Sequence, residues 1–133
     1  MKIGFFRTLV MCCLITFGMT ASAQSSNKSE SGKLRHIVLF AFKSDTTPSQ
    51  LAEVEAAFAA LPAKIPQIQS FEWGLNNSPE GLNKGFTHCY TLTFASEEDR
   101  AIYLPHPDHK AFGSILSPHL ADVLVVDYWA TKL

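Results

Sequence analysis

Residues 35–43, with the sequence RHIVLFAFK, decide the fold of this chain. The segment is rich in β-branched and aromatic residues, which favour an extended strand. Ile37 and Leu39 would then face one way, and Val38 and Phe40 the other. A strand with two apolar faces needs cover on both sides. The segment therefore predicts a strand inside a sheet that is covered on both faces.

A helical pattern and a second strand pattern follow. The capping box TPSQ at residues 47–50 has proline at the first helical position, and apolar residues recur at steps of three and four as far as Ile65. Pro62 falls inside this pattern, so we expect the helix to end or kink near Leu61. Residues 68–76 then predict a strand, and the glycine- and asparagine-containing residues 77–86 predict a loop.

Two more strand patterns lie in the second half of the chain. Residues 87–95 place His88 and Tyr90 on one face and Cys89 on the other. Residues 122–130 read DVLVVDYWA and are apolar on both faces. This last segment therefore needs cover on both sides, as residues 35–43 do.

A second helical region connects these two strands. Ser96 with Asp99 predicts a helix cap, and Pro105 terminates that helix. Pro107 can restart it, after which three side chains share one face. They are His109, Phe112 and Leu116.

The order strand, helix, strand, strand, helix, strand predicts an α+β domain with the ferredoxin-like split βαβ arrangement. Its two helical regions cover only one face of a four-stranded sheet. The first and last strands are apolar on both faces, so the other face also needs cover. A second copy packed sheet to sheet would supply it, and we therefore expect a homodimer, a dimeric α+β barrel.

The amino-terminal residues have the pattern of an export signal. Lys2 and Arg7 precede an apolar run, and residues 21–23 read ASA, a small-x-small cleavage pattern. We expect a signal peptide over residues 1–23, a serine-rich flexible linker over residues 24–33 and the domain over residues 34–133. The mature protein would be periplasmic or extracellular and would lie outside the membrane, since no segment has the roughly 18 apolar residues that a spanning helix needs.

Composition and charge narrow the class of protein. The 133 residues are 47% hydrophobic and 17% charged, with a formal net charge of −1. These values fit one globular domain and do not favour a nucleic-acid partner. The sequence contains no GxSxG, P-loop or GxGxxG motif, so serine hydrolase, nucleotide and dinucleotide functions have no support.

Five motifs occur in the order found in a known family. They are HIVLF (36–40), FEWG (71–74), SPEGLNKGFTH (78–88), YLPHPDH (103–109) and VLVVDY (123–128). Together they resemble the stress-responsive dimeric A/B barrel (Dabb) family over residues 34–130. The resemblance implies a ferredoxin-like homodimer with a cavity between sheet and helices. Most members of that family have no assigned activity.

One plant member of the family is a polyketide cyclase, whose catalytic tyrosine and histidine match Tyr103 and His109. An imidazole could take a proton from a carbon beside a carbonyl, and a phenol could hold the developing enolate oxygen. His109 would thus be the general base and Tyr103 the hydrogen-bond donor. The alternative is that HPDH at residues 106–109 restarts a helix, with its histidines capping backbone groups.

Three further histidines are candidates for ligand binding: His36, His88 and His106. His36 and His88 lie on strand faces beside aromatic residues, as polar anchors in an apolar pocket would. The alternative for both is a buried neutral histidine bonded to backbone or to a carboxylate. The spacing of the histidines fits no metal-site pattern, so we expect neither a metal nor a cofactor. Cys89 has no activating neighbour on its own face, and we expect it to be a core residue.

These patterns lead to a functional expectation. The protein would be an exported Dabb domain of unassigned activity, which binds a small hydrophobic or aromatic molecule in an interior pocket. The alternative is a cofactor-independent lyase or cyclase that uses His109 and Tyr103.

Overall fold

The computed structural model describes residues 32–131. Its strands are β1 (Leu34–Phe42), β2 (Ser70–Leu75), β3 (His88–Phe94) and β4 (Leu120–Trp129). Its helices are α1 (Pro48–Ala59), α2 (Leu61–Lys64), α3 (Glu97–Tyr103) and α4 (Pro107–Leu116). The predicted signal peptide and most of the predicted linker lie outside the described residues.

The strands form one antiparallel sheet in the order β2-β3-β1-β4. β1 lies in the middle, where Val38 pairs with Tyr90 of β3 on one side and with Val125 of β4 on the other. This order and direction are those of the ferredoxin-like split βαβ arrangement. The predicted α+β class is therefore confirmed.

The helices pack on one face of the sheet and bury an aromatic core. The ring of Phe58 on α1 lies 4.3 Å from the ring of Phe112 on α4 and 4.5 Å from that of Tyr90 on β3. Phe40 on β1 completes the contact, 5.8 Å from Phe58. These contacts hold α1 and α4 side by side against the middle of the sheet.

The helix boundaries follow from caps and prolines, as the sequence predicts. The Thr47 hydroxyl accepts a hydrogen bond from the Gln50 backbone N–H, and the Gln50 side chain accepts one from the Thr47 N–H. The main helix ends at Ala59, and the region around Pro62 continues as the short helix α2. Ser96 caps α3 by accepting from the Asp99 N–H.

The other face of the sheet is apolar in its middle and has no cover within residues 32–131. Val126 and Leu124 of β4 lie on it, each 45% exposed, opposite half-buried Ile37 and Leu39 of β1. Both parities of β4, an edge strand, are exposed in the single chain. Strand β4 nevertheless carries apolar side chains on both faces, as the sequence pattern predicts.

Cys89 departs from its prediction as a core residue. It lies half-buried on the uncovered face, opposite to the parity of His88, whose side chain is buried on the helix side. Burial and the charge of Glu72 both raise the pKa of the Cys89 thiol, which keeps it protonated at neutral pH.

Among the described residues, no helix is long and apolar enough to cross a membrane.

Candidate functional site

A cavity of about 670 Å³ lies between the helix-covered face of the sheet and helices α3 and α4. Its walls come from β1 and β4 on one side and from α1, α3 and α4 on the other. Most of the lining side chains are apolar. They are Val38, Phe40, Phe58, Leu104, Phe112, Leu116, Leu120, Val123 and Val125.

The strand register divides this cavity into a polar and an apolar end. His36 of β1 pairs with Asp127 of β4, and both line the cavity. Four residues further along β1, Phe40 pairs with Val123, and both also line it. Strands rise about 3.3 Å per residue, so roughly 13 Å separate the two rows. The cavity is therefore polar at one end and apolar at the other.

Tyr103 supplies an unsatisfied hydroxyl to the polar end. The residue is fully buried at the carboxyl end of α3, and its Oη has no hydrogen-bond partner among the described residues. Its ring lies 4.2 Å from that of His109 and 5.8 Å from that of His36. Burial raises the pKa of Tyr103 well above its usual range, so the hydroxyl remains a donor at neutral pH.

His109 presents one nitrogen as a base. Its Nδ1 lies 2.9 Å from the carbonyl oxygen of Leu104, in the turn between α3 and α4. A carbonyl oxygen can only accept a hydrogen bond, so Nδ1 carries the proton and donates it. In the neutral ring, Nε2 is then the unprotonated nitrogen. The break between the helices therefore holds His109 in the tautomer that a general base needs.

His36 is oriented by an acidic residue. Its Nδ1 donates to Oδ1 of Asp127 at 2.9 Å, and Nη1 of Arg100 forms an ion pair with the same oxygen at 3.2 Å. The carboxylate thereby fixes the tautomer of the histidine and links α3 to the edge strand β4. The structure thus brings three of the five predicted site residues together: His36, Tyr103 and His109.

The other two predicted residues, His88 and His106, do not line this cavity. His88 is buried with both ring nitrogens in contacts, Nε2 at 3.1 Å from Glu55 and Nδ1 at 2.8 Å from Thr87. The Nδ1 of His106 accepts from the Asp108 N–H at 3.2 Å and caps α4. These contacts match the structural alternatives stated for them, and a ligand-binding role for either residue stays a prediction.

Sequence reasoning missed three charged residues of the cavity lining: Arg100, Lys110 and Asp127. Asp127 is the one acidic residue in VLVVDYWA (residues 123–130), and it shares the parity of the cavity-facing valines Val123 and Val125. A charge on the same parity as the apolar residues Val123 and Val125 was the available signal for Asp127. No sequence signal pointed to Arg100 or Lys110, because the proline break between the two helices makes the direction of each helix depend on tertiary structure.

The arrangement holds a polar cluster but no metal-ligand set. Within residues 32–131, no three His, Cys, Asp or Glu side chains are grouped closely enough to hold a metal ion. The cluster combines a hydroxyl donor, a histidine acceptor and a carboxylate-bound histidine. Such a set can orient a carbonyl or hydroxyl group of a small molecule and can move a proton.

Tyr103→Phe is expected to leave the free energy of unfolding unchanged or to raise it by about 1 kcal/mol, because it removes a buried hydroxyl that lacks a partner. Urea denaturation of both proteins without ligand measures this. A loss of more than about 1 kcal/mol would show that the hydroxyl is bonded within the protein and is not available to a ligand.

The family profile for the stress responsive A/B barrel domain (Dabb) matches residues 34–130, which include every strand and helix of the fold. The chain belongs to the stress responsive A/B barrel domain family. The family resemblance of the five sequence motifs is therefore confirmed.

Curated relatives include a stress-response protein and an enzyme, both from plants. The chain is 36% identical over 102 residues to the Arabidopsis thaliana stress-response A/B barrel domain-containing protein HS1, covering 77% of this chain and 94% of HS1. It is 28% identical over 99 residues to olivetolic acid cyclase from Cannabis sativa, covering 74% of this chain and 98% of the cyclase.

Solved structures that are similar to this chain include an enzyme and a dimer. Hydroxynitrile lyase from Passiflora edulis has a TM-score of 0.71 at 27% identity, covering 76% of this chain and 95% of the lyase. A dimeric ferredoxin-like protein of unknown function from Thermobifida fusca has a TM-score of 0.65 at 30% identity, covering 74% and 92%. The fold therefore occurs among relatives with different activities.

Proposed function

We propose that this Dabb protein binds a small hydrophobic or aromatic molecule in the cavity between its sheet and its helices. The observation that carries the proposal is the cavity itself, about 670 Å³ in volume, apolar along most of its walls and lined by His36, Tyr103 and His109. Ligand sites commonly have this size, an apolar lining and a few convergent polar groups. The orphan hydroxyl of Tyr103 would gain its missing hydrogen bond from such a ligand.

The protein would act as a homodimer in an exported compartment. The uncovered apolar face around Ile37 and Val126 supports the dimer, since a second sheet would bury it. Dimeric relatives such as the Thermobifida fusca protein also support it. The charged start, apolar run and ASA sequence of residues 1–23 support export to a periplasm or out of the cell.

A thermal-shift titration with phenylacetone, a small aromatic ketone, tests the binding site. A ligand that binds only the native state raises the melting temperature, and at 100 times the dissociation constant it contributes about 2.7 kcal/mol. We expect a shift of about 10 °C in the native protein at that ligand concentration, and a smaller one in Tyr103→Phe and His109→Ala.

His119→Ala is the matched control, because it removes an imidazole that does not line the cavity. It should keep the native shift. Equal shifts in all four proteins would place the ligand elsewhere, and no shift with any aromatic probe of this size would contradict the proposed site.

A second candidate function is cofactor-independent proton transfer from a carbon acid. It is favoured by one observation: the Nδ1 contact with the Leu104 carbonyl leaves Nε2 of His109 as the base, beside the protonated hydroxyl of Tyr103. His109 would take a proton from a carbon beside a carbonyl, and Tyr103 would donate a hydrogen bond to the enolate oxygen. The names of the similar cyclase and lyase also support an enzyme of this kind.

Exchange of the α-hydrogens of phenylacetone for deuterium from the solvent, followed by NMR, tests this second candidate. A working base should make exchange faster than in buffer, and His109→Ala should lower the added rate by about 10²–10⁴-fold. His119→Ala should leave the rate unchanged. Binding without any added exchange would leave the binding function and remove the enzyme candidate for this substrate class.

A further inference from the structure

The polar end of the cavity is cationic. Arg100 on α3 and Lys110 on α4 both line the cavity, together with one carboxylate, Asp127 of β4. Cationic side chains thus outnumber carboxylates in the lining, although the whole chain has a formal net charge of −1. Lys110 is exposed and the Arg100 side chain is one-quarter exposed, so a ligand carboxylate beside them would bind at a solvated end of the cavity.

Both cations retain donors for a ligand. An arginine has five N–H donors, and the ion pair of Arg100 with Asp127 uses Nη1 on a single oxygen at 3.2 Å. The Arg100 side chain is one-quarter exposed, so it is neither sealed in the core nor fully solvated. Lys110 has no carboxylate within ion-pair distance in the described part of the chain. A ligand anion could therefore contact Lys110 without displacing a carboxylate partner. It could also contact the N–H groups of Arg100 that the ion pair with Asp127 leaves unused.

The cations and the apolar walls occupy different ends. Along α4, His109 lies beside Tyr103, Lys110 follows it in the chain, and Phe112 and Leu116 lie further towards the end of the helix. Phe112 packs against Phe40, which belongs to the apolar row about 13 Å from the His36 row. A ligand that satisfies both ends must carry its charge at one end and its hydrocarbon at the other.

We propose that the ligand is an amphiphilic carboxylate, with its carboxylate group between Arg100 and Lys110 and its apolar body directed along β1 towards Phe40. The proposal rests on the proposed function of the cavity as a ligand site and specifies the chemical class of that ligand. Tyr103 donates its free hydroxyl to the same polar group. Guanidinium and ammonium donors form short, charge-assisted hydrogen bonds with carboxylates, which select an acid over its neutral analogue.

A matched pair of probes separates charge from shape. 4-Butylbenzoate and 4-butylbenzamide have nearly the same size and differ in the charge of the head group. Isothermal titration calorimetry of the native protein should give a dissociation constant about tenfold or more lower for the acid. Lys110→Met should reduce that preference several-fold, and Arg100→Gln should reduce it as well, while both variants still bind the amide.

Lys84→Met is the control, because it removes the same charge from an exposed loop position outside the cavity. It should keep the native preference for the acid. Equal affinity for acid and amide, or tighter binding of the amide, would overturn the inference and leave the ligand site standing. A preference that survives both Lys110→Met and Arg100→Gln would overturn the assignment to these residues. Absence of binding by either probe and by phenylacetone would overturn the ligand site itself.

Discussion

Gly113→Trp is expected to block binding of small aromatic molecules while the protein stays folded. Gly113 lies in α4 and lines the cavity, and a Cβ built on it meets no other heavy atom within 4 Å. An indole attached there would occupy the space of the ligand without a clash at its point of attachment. Tryptophan also favours helix more than glycine does, so α4 should not be weakened by the change.

The affinity for phenylacetone should fall at least about tenfold in Gly113→Trp, which corresponds to about 1.4 kcal/mol of binding free energy. Gly113→Ala is the matched control. It adds only a methyl group, should raise the free energy of unfolding by about 0.5–1 kcal/mol and should keep the binding. Native affinity in a folded Gly113→Trp protein would show that the ligand does not enter between α4 and the sheet.

Val126→Glu is expected to convert the proposed homodimer into a monomer. Val126 lies on the uncovered sheet face beside Ile37 of the central strand. Packing two sheets face to face would bury the new carboxylates in an apolar interface, which costs several kcal/mol per unpaired charge. The dimer dissociation constant should therefore rise by about a hundredfold or more.

Sedimentation equilibrium at about ten micromolar protein measures this effect. Ile102→Glu is a suitable control, because Ile102 is 49% exposed, close to the 45% of Val126, but lies on helix α3. It should remain a dimer. A monomeric native protein, or a Val126→Glu protein that is still dimeric, would contradict the proposed sheet-to-sheet assembly.

Local patterns were sufficient to predict the fold. The two-sided apolar strand at residues 35–43 became the central strand β1, and the capping box at residues 47–50 became the start of α1. Both signals act over a few residues and do not depend on distant contacts. The last strand begins at Leu120, two residues before the predicted start, since strand ends depend on pairing with β1.

The site was only partly predictable. Tyr103 and His109 were found through family resemblance, because the prolines between them remove any regular spacing from which their 4.2 Å ring separation could be derived. Strand parity placed His36 and His88 on strand faces beside aromatic residues, but it could not show that His88 lies beside Glu55 and outside the cavity. Such contacts depend on how α1 crosses the sheet, which local sequence does not encode.

The central claim is that a small apolar molecule binds between the sheet and helices α3 and α4. An NMR titration with phenylacetone of protein carrying ¹³C-labelled histidine rings tests it most directly, because His36 and His109 line the cavity and His88 and His119 do not. We predict saturable shifts of the His36 and His109 ring signals and little change at His88 and His119. Saturation that shifts only His88 or His119, or no shift at any histidine, would contradict the claim.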